Sequence, residues 1–260
     1  MNLAWQSFRE IYEIYEIGLR KPEEILMLKT SINKEDTAMI SAKEFAHYCD
    51  IGDMRVIATK EDTKFTCDVA KKYGARSIFG LKCYADYMAE QLKGSGVQLE
   101  FSICNNAGSD DTQVKVAGAK RYLEMGLDEV EMYMNFSYLK SGMYKEAEDD
   151  IRAVRNVMPK DMILKVIVQA PLLNDEELAT ASKIVIAGGA DYVKTNNGEY
   201  GWTTPHHVEV ISKAIEGTGK LIKASVAEKV TDYLEFLNYP LVERFGMSTQ
   251  QFIECMDYLK

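Results

Sequence analysis

The chain has 260 residues, 47% of them apolar and 27% charged, with a formal net charge of -9. This is ample chain for a substantial core. The acidic balance argues against a protein that coats nucleic acid or anionic membrane, since both recruit basic surface, and an anionic substrate would need a local positive site.

Five scattered cysteines, Cys49, Cys67, Cys83, Cys104 and Cys255, form no CxxC pair, which suits reduced thiols. No apolar run approaches membrane-spanning length, and Glu10, Glu13 and Glu16 interrupt the aromatic N-terminus, unlike a signal peptide. A cytoplasmic protein is expected.

Taken in order, residues 2–20 and 34–48 show helical spacing and predict an N-terminal helical extension over 1–48. From residue 54 onward short β-rich runs alternate with amphipathic ones. Strands are predicted over 54–57, 76–81, 98–104, 129–134, 163–169, 192–195, 221–225 and 244–248. Helices are predicted over 60–73, 84–92, 112–125, 143–158, 175–187, 205–215, 229–238 and 250–259. Eight strand–helix units over 49–260 predict an α/β chain folded as a (β/α)8 TIM barrel. A doubly wound open sheet ranks lower because no G-x-G-x-x-G turn follows the first strand. Thr203-Thr204-Pro205 marks a capped helix start, and Gly126, Gly188 and Gly217 fall where helices should end in the left-handed conformation.

The informative residues break the apolar pattern of the strands: Glu131, Lys165, Lys194 and Lys223 each place a charge inside a largely apolar run. If all four point into the barrel, one acid and three bases share a dry volume. A lysine beside another ammonium, or in a dry pocket, has a lowered pKa and so presents free amine for attack on a carbonyl. A nearby carboxylate can shuttle protons as the imine forms and hydrolyses. The alternative is a structural ion pair between Glu131 and one lysine, because such networks also perturb pKa values.

Gly189-Ala190-Asp191-Tyr192-Val193-Lys194-Thr195-Asn196-Asn197-Gly198 resembles the Schiff-base lysine segment of the deoxyribose-phosphate aldolase family, class I aldolases on a (β/α)8 barrel. Segments 126–132, 139–142, 164–167, 221–225 and 244–249 follow in the family's order, so the resemblance runs from about Asp50 to the C-terminus. It implies that Lys194 forms the imine, that Lys223 depresses its pKa, and that Glu131 stands where the family has a proton-relaying aspartate. It implies too that Lys165 holds that acid in place, and that Asp50, Thr195, Asn197, Gly198, Ser225, Ser248 and Thr249 line the substrate site. Cleavage of 2-deoxyribose 5-phosphate would then give glyceraldehyde 3-phosphate and acetaldehyde. The iminium is the electron sink, so neither cofactor nor metal is implied. The implied partner is a small aldehyde or sugar phosphate, with homo-oligomerisation open and no nucleic acid or membrane.

Departures from the family cluster at the phosphate end. Val226-Ala227 stands where the family has a glycine pair, and Glu199 where it often has a basic residue. Gln169-Ala170-Pro171 replaces Glu-Thr-Gly, and Glu131 is one methylene longer than the family's acid. The same imine chemistry on an unphosphorylated or different aldehyde is therefore an alternative, as is an inactive paralogue acting as a binding protein. His206-His207 is not expected to hold a metal, since adjacent helical positions diverge. Tyr133 and Met134 read as core, with Tyr133 on the face of Glu131.

Overall fold

A computed structural model describes residues 40–260, of which Ser41–Lys260 form one compact unit. Eight parallel strands close into a barrel in sequence order. They are β1 (Cys49–Asp53), β2 (Ser77–Gly80), β3 (Gln98–Ser102), β4 (Glu129–Tyr133), β5 (Ile163–Ile167), β6 (Tyr192–Lys194), β7 (Leu221–Ser225) and β8 (Val242–Ser248). The helices are α1 (Ala42–Ala46), α2 (Lys60–Tyr73), α3 (Ala85–Leu92), α4 (Thr112–Glu124), α5 (Phe136–Lys140), α6 (Tyr144–Arg155), α7 (Asp175–Ala187), α8 (Pro205–Ile215), α9 (Val230–Phe236) and α10 (Thr249–Tyr258). Among the described residues no helix is long and apolar enough to cross a membrane.

The extension expected over 1–48 lies, for residues 1–39, outside the described residues. Its last part, α1, carries a Ser41/Glu44 capping box and stacks Phe45 on Phe245 of β8, with ring centroids 5.4 Å apart.

Two local expectations need correction. The first strand is Cys49–Asp53 rather than 54–57; Met54, Val56 and Ile57 are exposed in the loop that follows it. Gly126 and Gly217 adopt the left-handed conformation (φ 77 and 75), but Gly188 is right-handed and its neighbour Gly189 (φ 95) makes the turn. Gly188 serves packing instead. A Cβ there would lie 2.6 Å from Ile151 Cγ2, so the missing side chain lets α7 and α6 approach. The start at Thr204-Pro205 is a cap: Thr204 accepts from the His207 backbone N–H, with proline in the first turn.

Because side chains alternate along a strand, Glu129, Glu131 and Tyr133 share the inner face of β4. The register sets Lys165 opposite Glu131, Lys194 opposite Lys223, and Lys223 opposite Arg244. The barrel interior therefore holds a charged layer rather than the branched aliphatics that commonly fill it.

Candidate active site

Lys194 is the last residue of β6, at the C-terminal end of the barrel where chemistry belongs in this fold. Its Nζ donates to Glu131 Oε2 at 2.6 Å, and Lys223 Nζ donates to the other oxygen, Oε1, at 2.7 Å. One carboxylate thus bridges two lysines, all three nearly or fully buried. The Phe79 ring is the apolar wall: its centroid is 5.6 Å from Lys194 Nζ and 5.7 Å from Lys223 Nζ. Gly52 makes room for it, since a Cβ at that position would sit 2.3 Å from Phe79 Cδ2.

Below this pair the network continues. Lys223 also reaches Asp50 at 2.7 Å and Glu100. Lys165 binds Asp50 (3.1 Å), Glu100 (2.5 Å) and Glu129 (2.5 Å). Arg244 forks onto Asp50 and Glu129, with both Glu129 oxygens at 2.9 Å from its Nη2. Four acids and four bases, none more than 5% exposed, pair with one another, and of the Arg244 nitrogens Nη1 alone has no hydrogen-bond partner among the described residues.

The electrostatics separate the two lysines. Burial lowers the Lys194 pKa and the Lys223 ammonium lowers it further, against the pull of Glu131, so Lys194 lies below the ordinary lysine value. Burial acts on Lys223 too, but Asp50, Glu100 and Glu131 together outweigh it and hold Lys223 well above the ordinary value, as a fixed cation. Burial also pushes Glu131 up, yet Lys194, Lys223 and Lys165 bring it down to about 2. The arrangement offers a nucleophilic amine, a permanent cation beside it and an ionised carboxylate between them.

Other expected site residues fall differently. Asp50 is fully buried on Lys165, Lys223 and Arg244, so its carboxylate faces the charge network rather than a substrate. Lys165 makes no hydrogen bond to Glu131 and acts on it through charge alone. Thr195 is buried, its hydroxyl 2.7 Å from Thr203 and accepting from the Ser225 N–H. Ser225 Oγ is buried without a hydrogen-bond partner among the described residues, against Gly246. Ser248 caps α10 by accepting from Gln251 N, and Thr249 pairs with Thr66 at 2.8 Å. Asn197 and Gly198 lie in the loop that follows Lys194, where Asn197 Nδ2 donates to the Tyr133 hydroxyl at 3.0 Å and Gly198 (φ 90) packs against Val226.

Reading the sequence missed Glu100, Glu129 and Arg244. Glu129 lies two residues before Glu131, so strand alternation alone points it inward; Glu100 and Arg244 likewise sit inside predicted strands.

The DeoC/LacD family aldolase model matches residues 40–229. The chain is 35% identical over 207 residues to the deoxyribose-phosphate aldolase of Mycoplasmopsis pulmonis, covering 79% of this chain and 93% of that one. It is 35% identical over 197 residues to that of a Geobacillus species, covering 75% and 88%. The tetrameric deoxyribose phosphate aldolase of Aeropyrum pernix superposes with a TM-score of 0.74 at 23% identity, covering 88% of this chain and 100% of that one, a likeness of fold. With a barrel whose sixth strand ends in a buried lysine bridged to a second by one carboxylate, the chain belongs to the DeoC/LacD family of aldolases.

Proposed function

We propose that this aldolase cleaves 2-deoxyribose 5-phosphate to glyceraldehyde 3-phosphate and acetaldehyde through an imine on Lys194. The observation that carries this is the environment of the Lys194 amine, against Phe79 and 2.6 Å from Glu131, with Lys223 held as ammonium alongside. The neutral amine adds to the open-chain aldehyde, and water leaves to give the iminium. Glu131, through water, takes the proton of the hydroxyl on the β-carbon. The bond between α- and β-carbons breaks, its electron pair entering the iminium to give an enamine, and the β-oxygen departs as the carbonyl of the released aldehyde. Protonation at the α-carbon and hydrolysis return acetaldehyde and the free lysine. Lys165 and Arg244, with Asp50, Glu100 and Glu129, fix the charges beneath.

The phosphate end is less accommodating than the lysine end. The Val226 N–H is bound to Gly246 O at 2.8 Å, the Ala227 N–H to the Tyr233 hydroxyl at 3.1 Å, and the Gly198 N–H to Asn196 Oδ1 at 3.1 Å. Glu199 adds a carboxylate, held by Asn106 Nδ2 at 3.1 Å. These contacts favour a second reading, in which the same imine chemistry gains little from the phosphate and also accepts unphosphorylated 2-deoxyribose. Self-association is part of the proposal, supported by the tetrameric Aeropyrum pernix protein.

Borohydride reduction in the presence of acetaldehyde, with peptide mapping, tests the imine. Label is expected on Lys194 and absent from Lys194→Met; label on another lysine refutes the assignment. Steady-state retro-aldol rates on deoxyribose and its 5-phosphate then separate the two substrate readings.

A further inference from the structure

Tyr133 ends β4, two residues beyond Glu131 on the same inner face and roughly 6.6 Å further toward the mouth. The register places it opposite Ile167, which in turn stands opposite Lys194, so Tyr133 and Lys194 lie at one level two strands apart. The side chain is buried, yet its hydroxyl is not committed as a donor. Instead it accepts from Asn197 Nδ2 at 3.0 Å.

That polarity is fixed by backbone. Asn197 Oδ1 accepts the Glu199 N–H at 3.0 Å, which orients the amide and turns Nδ2 toward the phenol. Gln169 reinforces it: Nε2 donates to the same Oδ1 at 2.8 Å while Oε1 accepts the Asn197 N–H at 3.3 Å. Gln169 is held fully buried in the left-handed conformation (φ 49), costly for a residue with a side chain and evidence that the surroundings dictate its place. With its oxygen receiving Asn197, the phenol has a proton for which the described residues provide no acceptor. Burial raises the Tyr133 pKa and the nearby Glu131 charge adds to this, so the proton stays on.

Resting on the imine reading above, we propose that the Tyr133 hydroxyl donates a hydrogen bond to the substrate oxygen on the carbon β to the imine carbon, the oxygen that becomes the carbonyl of the released aldehyde. The donor is level with Lys194 and tethered on the mouth side by the loop following β6, the side toward which a substrate chain extends from the imine. Negative charge gathers on that oxygen as its proton leaves and the carbon–carbon bond breaks. A preoriented donor in a dry site stabilises such charge well, and in the reverse direction it polarises the acceptor aldehyde. The same contact makes Tyr133 selective for β-oxygenated substrates.

The test compares Tyr133→Phe with the unaltered protein in two assays. One is borohydride labelling of Lys194 by acetaldehyde, which carries no β-oxygen. The other is cleavage of 2-deoxyribose 5-phosphate. Cleavage kcat/KM is expected to fall by about 10- to 100-fold, the worth of one good hydrogen bond to developing charge, while the labelling rate changes less than twofold. Cleavage unchanged overturns the proposal. Labelling that slows as much as cleavage also overturns it, because the phenol would then serve imine formation or mere architecture. Absence of labelling in the unaltered protein overturns the imine reading, and this inference with it.

Discussion

At the scale of single residues, Val226 is the most unusual position among the described residues. It holds φ at 62, a conformation that a β-branched residue rarely adopts, and its Cγ1 would lie 3.1 Å from a Cβ on Gly198. A glycine would take the same φ without strain and let backbone approach an anion. Val226→Gly is therefore expected to raise the ratio of kcat/KM for deoxyribose 5-phosphate over deoxyribose severalfold. An unchanged ratio would show that Val226 does not govern the phosphate end. Phe79 permits a second prediction, since it is the apolar wall beside both amines. Phe79→Ala admits water, weakens the burial that lowers Lys194, and moves its pKa upward. The acid limb of borohydride labelling should then shift to higher pH; a limb that stays put would assign the lowering to Lys223 rather than to the dry wall.

At the scale of elements, the loop entering α4 is anchored by a buried ion pair. Lys115 on α4 reaches Asp150 on α6 at 2.5 Å and the Gly108 carbonyl at 2.6 Å, and Thr112 donates to the other Asp150 oxygen. Lys115→Met strands a buried carboxylate and should cost about 3–5 kcal/mol in urea unfolding. Pairing it with Asp150→Leu should restore much of that loss, because the penalty lies in the unpaired charge. The elements also show what sequence alone conveys. The bounds of α8 and β7 are predicted to the residue, because a Thr-Pro cap and a β-rich run between turn signals are local. Strand β1 is misplaced because Cys-Asp-Ile-Gly-Asp combines residues that β propensity disfavours. It is a strand only through tertiary contacts, with Asp50 neutralised by residues 115 to 194 positions away and Gly52 left bare for Phe79. The lysines were legible as charges in apolar runs. The partners of Asp50 and Lys165 were not, because which acid meets which base depends on barrel closure.

Across the whole molecule, the charged layer couples catalysis to folding. Neutral Lys194 leaves the four carboxylates facing three cations, which favours keeping the proton on Lys223, itself touched by Asp50, Glu100 and Glu131. Lys223→Leu removes the neighbouring cation, so Lys194 should titrate at higher pH, and unfolding should cost about 3–5 kcal/mol less because the carboxylates lose their partner. The same layer sets the response to acid. Glu131 drops from an ordinary 4.5 to about 2 on folding because its lysine neighbours outweigh burial, and Asp50 and Glu129 are lowered in the same sense. A carboxylate lowered in the folded state contributes stability that is complete above its unfolded pKa and is lost as pH falls toward the folded one. Glu100 opposes them: burial raises it, so its contribution is present at low pH and fades as pH rises. With three lowered groups against one raised, the urea midpoint should decline steeply between pH 4.5 and 2. Lys194→Met removes one of the cations that lower Glu131, so its midpoint should fall less over that interval. An equally steep fall would mean that Lys223 and Lys165 alone set the ionisation of Glu131, leaving the Lys194 amine free of the acid equilibrium of its own site.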